Sequence, residues 1–251
     1  MIRPPALPPG ARTVGQLVAE TLRLYGRRFW RALALGVPPA LAGVGQTLLE
    51  PPASYVWPFT VFALAQAVSY YGAVLVVHER RPSRREAATA IAVGFAVFVP
   101  VSILLALFLI PAAIWLALVG LAVPAAVLEG RGFRDAFGRG IALARADFVH
   151  SLGTFATLIL LGLVTAYGLF FLLRGQAETT LAAAGFLSVL VVQPVLYLGA
   201  TLLYDDQAAR LVDSGAPTRR SDADVRDAVD ADGPGRPDAE VEPGAPARGE
   251  P

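Results

Sequence analysis

From Thr89 to Leu128 the chain runs for 40 residues without a charged side chain. No soluble surface can be built from such a stretch. It is also about twice the roughly 20 residues that cross a hydrocarbon core of about 30 Å. It therefore reads as two spanning helices divided near Pro111, whose ring removes a hydrogen-bond donor from the helix. Composition agrees: 55% of the 251 residues are hydrophobic and 16% are charged, too little charge to cover a soluble domain. Spans are expected at 30–49, 55–77, 89–110, 112–128, 149–173 and 181–204. The expected fold class is all-α, an integral membrane protein of six transmembrane helices in three hairpins within residues 1–213.

Arginine decides the number of crossings. All 21 basic residues are Arg. With six spans and both termini cytoplasmic, fifteen of them gather near span ends on the inner side. They are Arg23, Arg27, Arg28 and Arg31; Arg80, Arg81, Arg84 and Arg85; Arg131, Arg134, Arg139 and Arg145; and Arg210, Arg219 and Arg220. Only Arg174 falls outside. Five spans would export the third group, against the rule that Lys and Arg of short loops stay inside. The expected location is the plasma membrane. The first 28 residues lack the short apolar core and small-residue cleavage site of a leader, so the first span should remain as an anchor.

The stretch "VLEGRGFRDAFGRGIALARADF", residues 127–148, separates two of the most apolar segments. On a helical wheel Phe133, Phe137, Ile141, Ala144 and Phe148 share an arc of about 80°, with Arg131, Arg134, Asp135, Arg139 and Arg145 opposite. Such a helix suits the interface, its rings at the acyl boundary and its guanidinium groups among phosphates. Each Arg near an anionic leaflet contributes on the order of 1 kcal/mol, whereas mid-bilayer it would cost about 2.5–3.5 kcal/mol. An elbow helix over 131–147 is thus expected to lie flat on the cytoplasmic face.

A second elbow is expected over 12–28, where Val14, Leu17, Val18, Thr21 and Tyr25 form one face. Shifting the chain by 119 residues overlays Leu22, Leu24 and Phe29 on Ile141, Leu143 and Phe148. Parallel repeats of this kind occur in transporters. They also follow from positive-inside orientation and interfacial anchoring alone.

Three segments recur here in a familiar order: "RTVGQLVAETLRLYGRRFWRAL", "VPAAVLEGRGFRDAFGRGIALARADFVHSLG" and "VLYLGATLLYDDQAARL". They resemble bacterial membrane proteins of the glycerophosphodiester phosphodiesterase membrane-domain family and the related YciC-like proteins, over roughly residues 11–212. The resemblance implies the six-span architecture. It also implies an acidic residue and Gly after the fourth span (Glu129, Gly130), an Ala-and-Arg helix (Ala136, Arg139), and an aromatic, Asp and basic set after the last span (Tyr204, Asp205, Arg210). Gln207 stands where relatives carry Arg. No catalytic domain accompanies these motifs, so no phosphodiesterase activity is implied.

Catalytic chemistry is hard to find. There is no cysteine, and the two histidines, His78 and His150, match no metal-ligand spacing. No cofactor is expected. The spans hold no group that ionises near neutral pH, which disfavours a proton relay. Gln66 and Gln193 are the notable intramembrane polar residues, read either as part of a substrate path or as an interhelical hydrogen bond. Glu129, Asp205 and Arg210 form a candidate helix-end polar cluster; Glu129, Asp205 and Asp206 are read either as a metal or head-group site, with His78 or His150 assisting, or as capping and salt bridges. Pro38, Pro39, Pro58, Pro100, Pro124 and Pro194 interrupt spans, and Gly36–Ala40 and Ala90–Gly94 give small-xxx-small pairs suited to close packing.

Residues 214–251 hold nine Asp or Glu against five Arg, with six Pro and five Gly, a composition expected to be disordered. The functional expectation is a non-enzymatic membrane protein that binds or organises lipids or partner proteins at the cytoplasmic leaflet. Arg27, Arg28, Arg131, Arg134, Arg139 and Arg145 would meet lipid head groups, with Phe133 and Phe137 beside them. Expected partners are anionic membrane lipids, together with protein partners or further copies of the chain, and no nucleic acid. The alternative is a transporter or permease component built on the proline-broken helices.

Overall fold

The computed structural model describes residues 8–215. Residues 1–7 and 216–251, the latter carrying most of the acidic tail, lie outside the described residues. Among those described there is no strand. The helices in chain order are α1 (Val14–Arg27), α2 (Phe29–Thr47), α3 (Ala53–Val56), α4 (Val61–His78), α5 (Arg84–Leu107) and α6 (Leu109–Val119). Then come α7 (Ala122–Leu128), α8 (Phe133–Ala146), α9 (Phe148–Leu173) and α10 (Glu178–Gly215).

Five stretches are long and apolar enough to cross a membrane: Ala53–His78, Arg84–Leu105, Leu109–Leu128, Phe148–Leu173 and Thr179–Val212. This is the composition of a multi-pass membrane protein. The first expected span sits where 30–49 placed it, as α2, but is not among the five. Arg31, the adjacent Pro38 and Pro39, and Gln46 dilute its apolarity.

Prolines explain where the charge-free run breaks. The division falls at Phe108, whose backbone is extended (φ −159°, ψ 148°), rather than at Pro111 itself. Pro111 is the third residue of α6, where an N–H has no helical partner to lose. Its ring instead excludes the carbonyl four residues back, that of Leu107, from a continuous helix. Pro124 acts alike: it is the third residue of α7 and leaves the Gly120 carbonyl without its helical donor. The Tyr70 hydroxyl donates to that carbonyl at 2.9 Å. The fourth expected span is therefore two short helices, α6 and α7, hinged at Gly120 and Leu121.

Small residues set the packing. α4 lies against α2 and α5, α7 against α5 and α8, and α9 against α6 and α1. Ala63, Ala67, Ala73, Ala90, Ala122 and Ala125 are fully buried, with Tyr70, Phe98 and Tyr197 clustered among them. A Cβ on Gly94 would meet the Ala67 Cβ at 2.9 Å, so the Ala90–Gly94 pair does bring α5 close to α4. Both elbows are present as α1 and α8. Each ends one residue before a long helix, and Phe29 and Phe148, which overlay in the sequence, are the first residues of α2 and α9.

The face that α8 packs on the bundle is separate from the aromatic stripe expected at the acyl boundary, apart from Ala144, which belongs to both. Ala136, Gly140, Leu143 and Ala144 are buried, whereas Phe133 is 45% exposed and Phe137 and Ile141 flank the contact. The reason is backbone approach. A Cβ on Gly140 would stand 2.7 Å from the Ala122 amide nitrogen, so only a small-residue stripe lets α8 lie on α7. On α1, Leu17 and Thr21 of the apolar face are fully buried against the bundle.

Candidate functional site

The last charged segment of α10, Tyr204 to Arg210, meets four other parts of the fold at one end of the molecule. Successive helix positions point in different directions, so each side chain reaches a different partner. The Tyr204 hydroxyl donates to Glu129 Oε1 at 2.6 Å, at the end of α7. Asp205 Oδ1 lies 3.3 Å from His78 Nε2 at the end of α4. Asp206, fully buried, accepts the Gly10 backbone N–H at 2.8 Å and Arg210 Nε at 2.9 Å, and faces His150 Nε2 at 3.1 Å. Arg210 also donates to Asp147 Oδ2 and to the Arg12 carbonyl, each at 2.8 Å. Gln207 donates to the Asp147 carbonyl at 3.1 Å.

The expected cluster of Glu129, Asp205 and Arg210 is thus three separate contacts around one helix end. Glu129 gathers its own set. Beyond Tyr204 it receives Arg139 Nε at 2.7 Å and Arg131 Nε. Partial burial alone would raise the Glu129 carboxyl. The Tyr204 hydroxyl, then Arg139 and Arg131, outweigh that and hold it down to about 2. Asp147, the N-cap of α9 through His150 N–H at 3.0 Å, was missed in the sequence. An Asp directly ahead of an apolar helical run is a usable capping signal.

These contacts divide the candidate lipid-facing arginines. Arg27 pairs with Glu20 at 2.8 Å, and Arg28 pairs with Glu79 at 2.8 Å while donating to the Val76 carbonyl. Arg131 and Arg139 are held by Glu129. Arg134 and Arg145 are exposed and make no ion pair among the described residues, and the same is true of Arg81, Arg84 and Arg85 at the start of α5. All five sit at one end, because Arg80 donates to the Leu128 carbonyl and joins the α4–α5 turn to the end of α7. Phe133 and Phe137 lie beside the α8 arginines, their ring centroids 5.3 Å apart.

A second feature lies deeper. Gln193 Nε2 donates to Gln66 Oε1 at 2.8 Å, tying α10 to α4. The two amides stand at one end of a cavity of about 210 Å³ between α5, α6, α9 and α10, whose other walls include Phe98, Leu116, Leu158 and Gly162. Both readings of the pair thus meet here: an interhelical hydrogen bond and a cavity-lining position. Among the described residues no group of three or more His, Asp or Glu side chains converges as a metal ion would require.

The chain matches no family model, no curated protein and no solved structure. What the site does must be argued from the arrangement itself.

Proposed function

We propose that the chain is a non-enzymatic plasma-membrane protein of six spans in three hairpins, both termini cytoplasmic, that binds anionic lipid at the inner leaflet. The architecture of the glycerophosphodiester phosphodiesterase membrane-domain family, including its YciC-like members, belongs to this proposal and rests on the quoted residues. The observation that carries the reading is the split between spent and available arginines. Arg27, Arg28, Arg131 and Arg139 are engaged by carboxylates, while Arg134, Arg145, Arg81, Arg84 and Arg85 face outward at the same end. Guanidinium groups so placed complement phosphates of an anionic leaflet.

The test compares Arg134→Glu/Arg145→Glu with the parent chain in bilayers of phosphatidylcholine with and without phosphatidylglycerol. At about 1 kcal/mol per arginine, retention of phosphatidylglycerol should fall by roughly tenfold or more. Unchanged retention would overturn the head-group reading. Reporter fusions after Gly138 and at the carboxyl end should lie on the same side of the membrane, and opposite sides would overturn the six-span topology.

The cavity at Gln66 and Gln193 favours the second reading, a transporter component, because it brings a polar pair into reach of an opening between helices. Its walls are otherwise mainly apolar, so it offers no continuous polar path. The head-group reading is preferred on that ground.

A further inference from the structure

Two cavities adjoin along the hairpin formed by α9 and α10. The first starts at Gln66 and Gln193; the second, about 180 Å³, shares Ala166, Ser188 and Val189 with it and extends to Leu169, Phe170 and Leu181. From Gln193 back to Leu181 is twelve residues, about 18 Å of helix. That is close to half of a hydrocarbon core of about 30 Å, the depth of one leaflet. No charged side chain lines either cavity. The two amides at the inner end are joined by one hydrogen bond, and the rest of the lining is mainly apolar.

An apolar void left empty forfeits dispersion contacts on every side. What can fill it is set by what stands at its mouth. Ala166, Leu169 and Phe170, which line the two cavities, are themselves exposed, so the cleft opens at the apolar outer side of the hairpin, on hydrocarbon. Volumes of about 210 and 180 Å³ spread along that length leave no room for a peptide helix, roughly 10 Å across. One turn past Phe170 stands Arg174, its guanidinium 4.0 Å over the Phe171 ring and in no ion pair among the described residues. It places a positive charge at the outer end of an apolar, leaflet-deep groove.

We propose that this cleft holds one acyl chain of a membrane phospholipid whose phosphate meets Arg174. The leaflet concerned, opposite the arginine-rich end, rests on the topology proposed above; the cleft and its occupant do not.

The experiment uses the full chain in nanodiscs of phosphatidylcholine and phosphatidylglycerol. These are doped with phosphatidylcholine bearing a diazirine at the end of one acyl chain, and adducts are mapped by mass spectrometry after photolysis. Adducts should concentrate at 162–166 and 188–193. Ala166→Phe should lower them by about tenfold by filling the cleft. Leu161→Phe, outside the lining, should leave them in place. Should Ala166→Phe fail to fold, Arg174→Glu, on the exposed end of the hairpin, should still reduce the same adducts. Adducts spread evenly over the exposed positions 160, 164 and 171 and indifferent to both Ala166→Phe and Arg174→Glu would overturn the proposal, as would cleft adducts that vanish when each nanodisc holds a single copy of the chain. Arg134→Glu/Arg145→Glu should leave cleft labelling unchanged, which separates failure here from failure of the inner-leaflet reading.

Discussion

Gly36 of α2 lies directly against the carbonyl of Leu190 in α10: a Cβ at position 36 would collide with that oxygen. Pro194, four residues on, lacks the N–H that would otherwise engage the Leu190 carbonyl. The proline frees a backbone oxygen, and the glycine across the interface makes room for it.

Gly36→Ala should therefore separate α2 from α10 rather than gain helix propensity. Overpacking against backbone cannot relax by a rotamer change, and a cost of about 1–3 kcal/mol is expected. Thermal unfolding in detergent should show a lower midpoint for Gly36→Ala. Gly43→Ala, where a Cβ would meet nothing within 4 Å, should show none of this loss.

Tyr70→Phe tests the second freed carbonyl. The variant keeps the ring among Phe98 and Tyr197 but removes the donor to Gly120. Intramembrane hydrogen bonds average about 0.6 kcal/mol and reach about 1.7 kcal/mol. With the acceptor left buried beside the α6–α7 hinge, the upper part of that range is expected. Denaturant titration of the detergent-solubilised protein would read it, and an unchanged midpoint would refute the assignment.

Length and apolarity made five of the long helices legible, because hydrocarbon thickness and desolvation act on any residue in the stretch and need no partner. The elbows were legible too, since amphipathic period is a local property. The break at Phe108 was mislocated by three residues because a proline's clash falls on the turn before it. The packed face of α8 was not read, because Ala136 and Gly140 carry no burial signal of their own. Gly140 against Ala122 could not be seen without the partner helix. At the site, Glu129, Asp205 and Asp206 stood out as charged groups at span ends, and Tyr204 and Arg210 entered through the resemblance. Their division among α7, α4 and the α8–α9 joint depends on contacts as far apart as 198 positions, which no periodicity encodes.

Acid should expose the Glu129 cluster. In the folded state its carboxyl is held down to about 2, against 4.5 for a free one. A depressed folded value adds stability that is fully present above about pH 4.5 and is lost as pH falls toward 2. Scanning the unfolding midpoint across that window should show a decline that is shallower in Glu129→Gln. Parallel curves for the two proteins would exclude the carboxylate as the source.

Arg210 is the residue on which the N-terminal segment depends. It neutralises the fully buried Asp206, reaches Asp147 at the α8–α9 joint, and holds the Arg12 carbonyl. Arg210→Gln removes the positive charge and leaves Asp206 buried beside His150 and the Gly10 amide. Losing one partner of a buried pair costs about 3–5 kcal/mol, although the partial exposure of Arg210 places the expectation at the lower end. Because Arg210 holds the Arg12 carbonyl directly and also donates to the Asp206 carboxylate that accepts the Gly10 N–H, the loss should appear first as local release. Trypsin should cut after Arg12 several-fold faster in Arg210→Gln at a temperature where the helical bundle is intact by circular dichroism. Arg134→Gln, outward-facing and without an ion pair among the described residues, should leave cleavage at Arg12 unchanged. Equal cleavage rates in the parent and Arg210→Gln would show that the N-terminal segment is held by something other than this guanidinium.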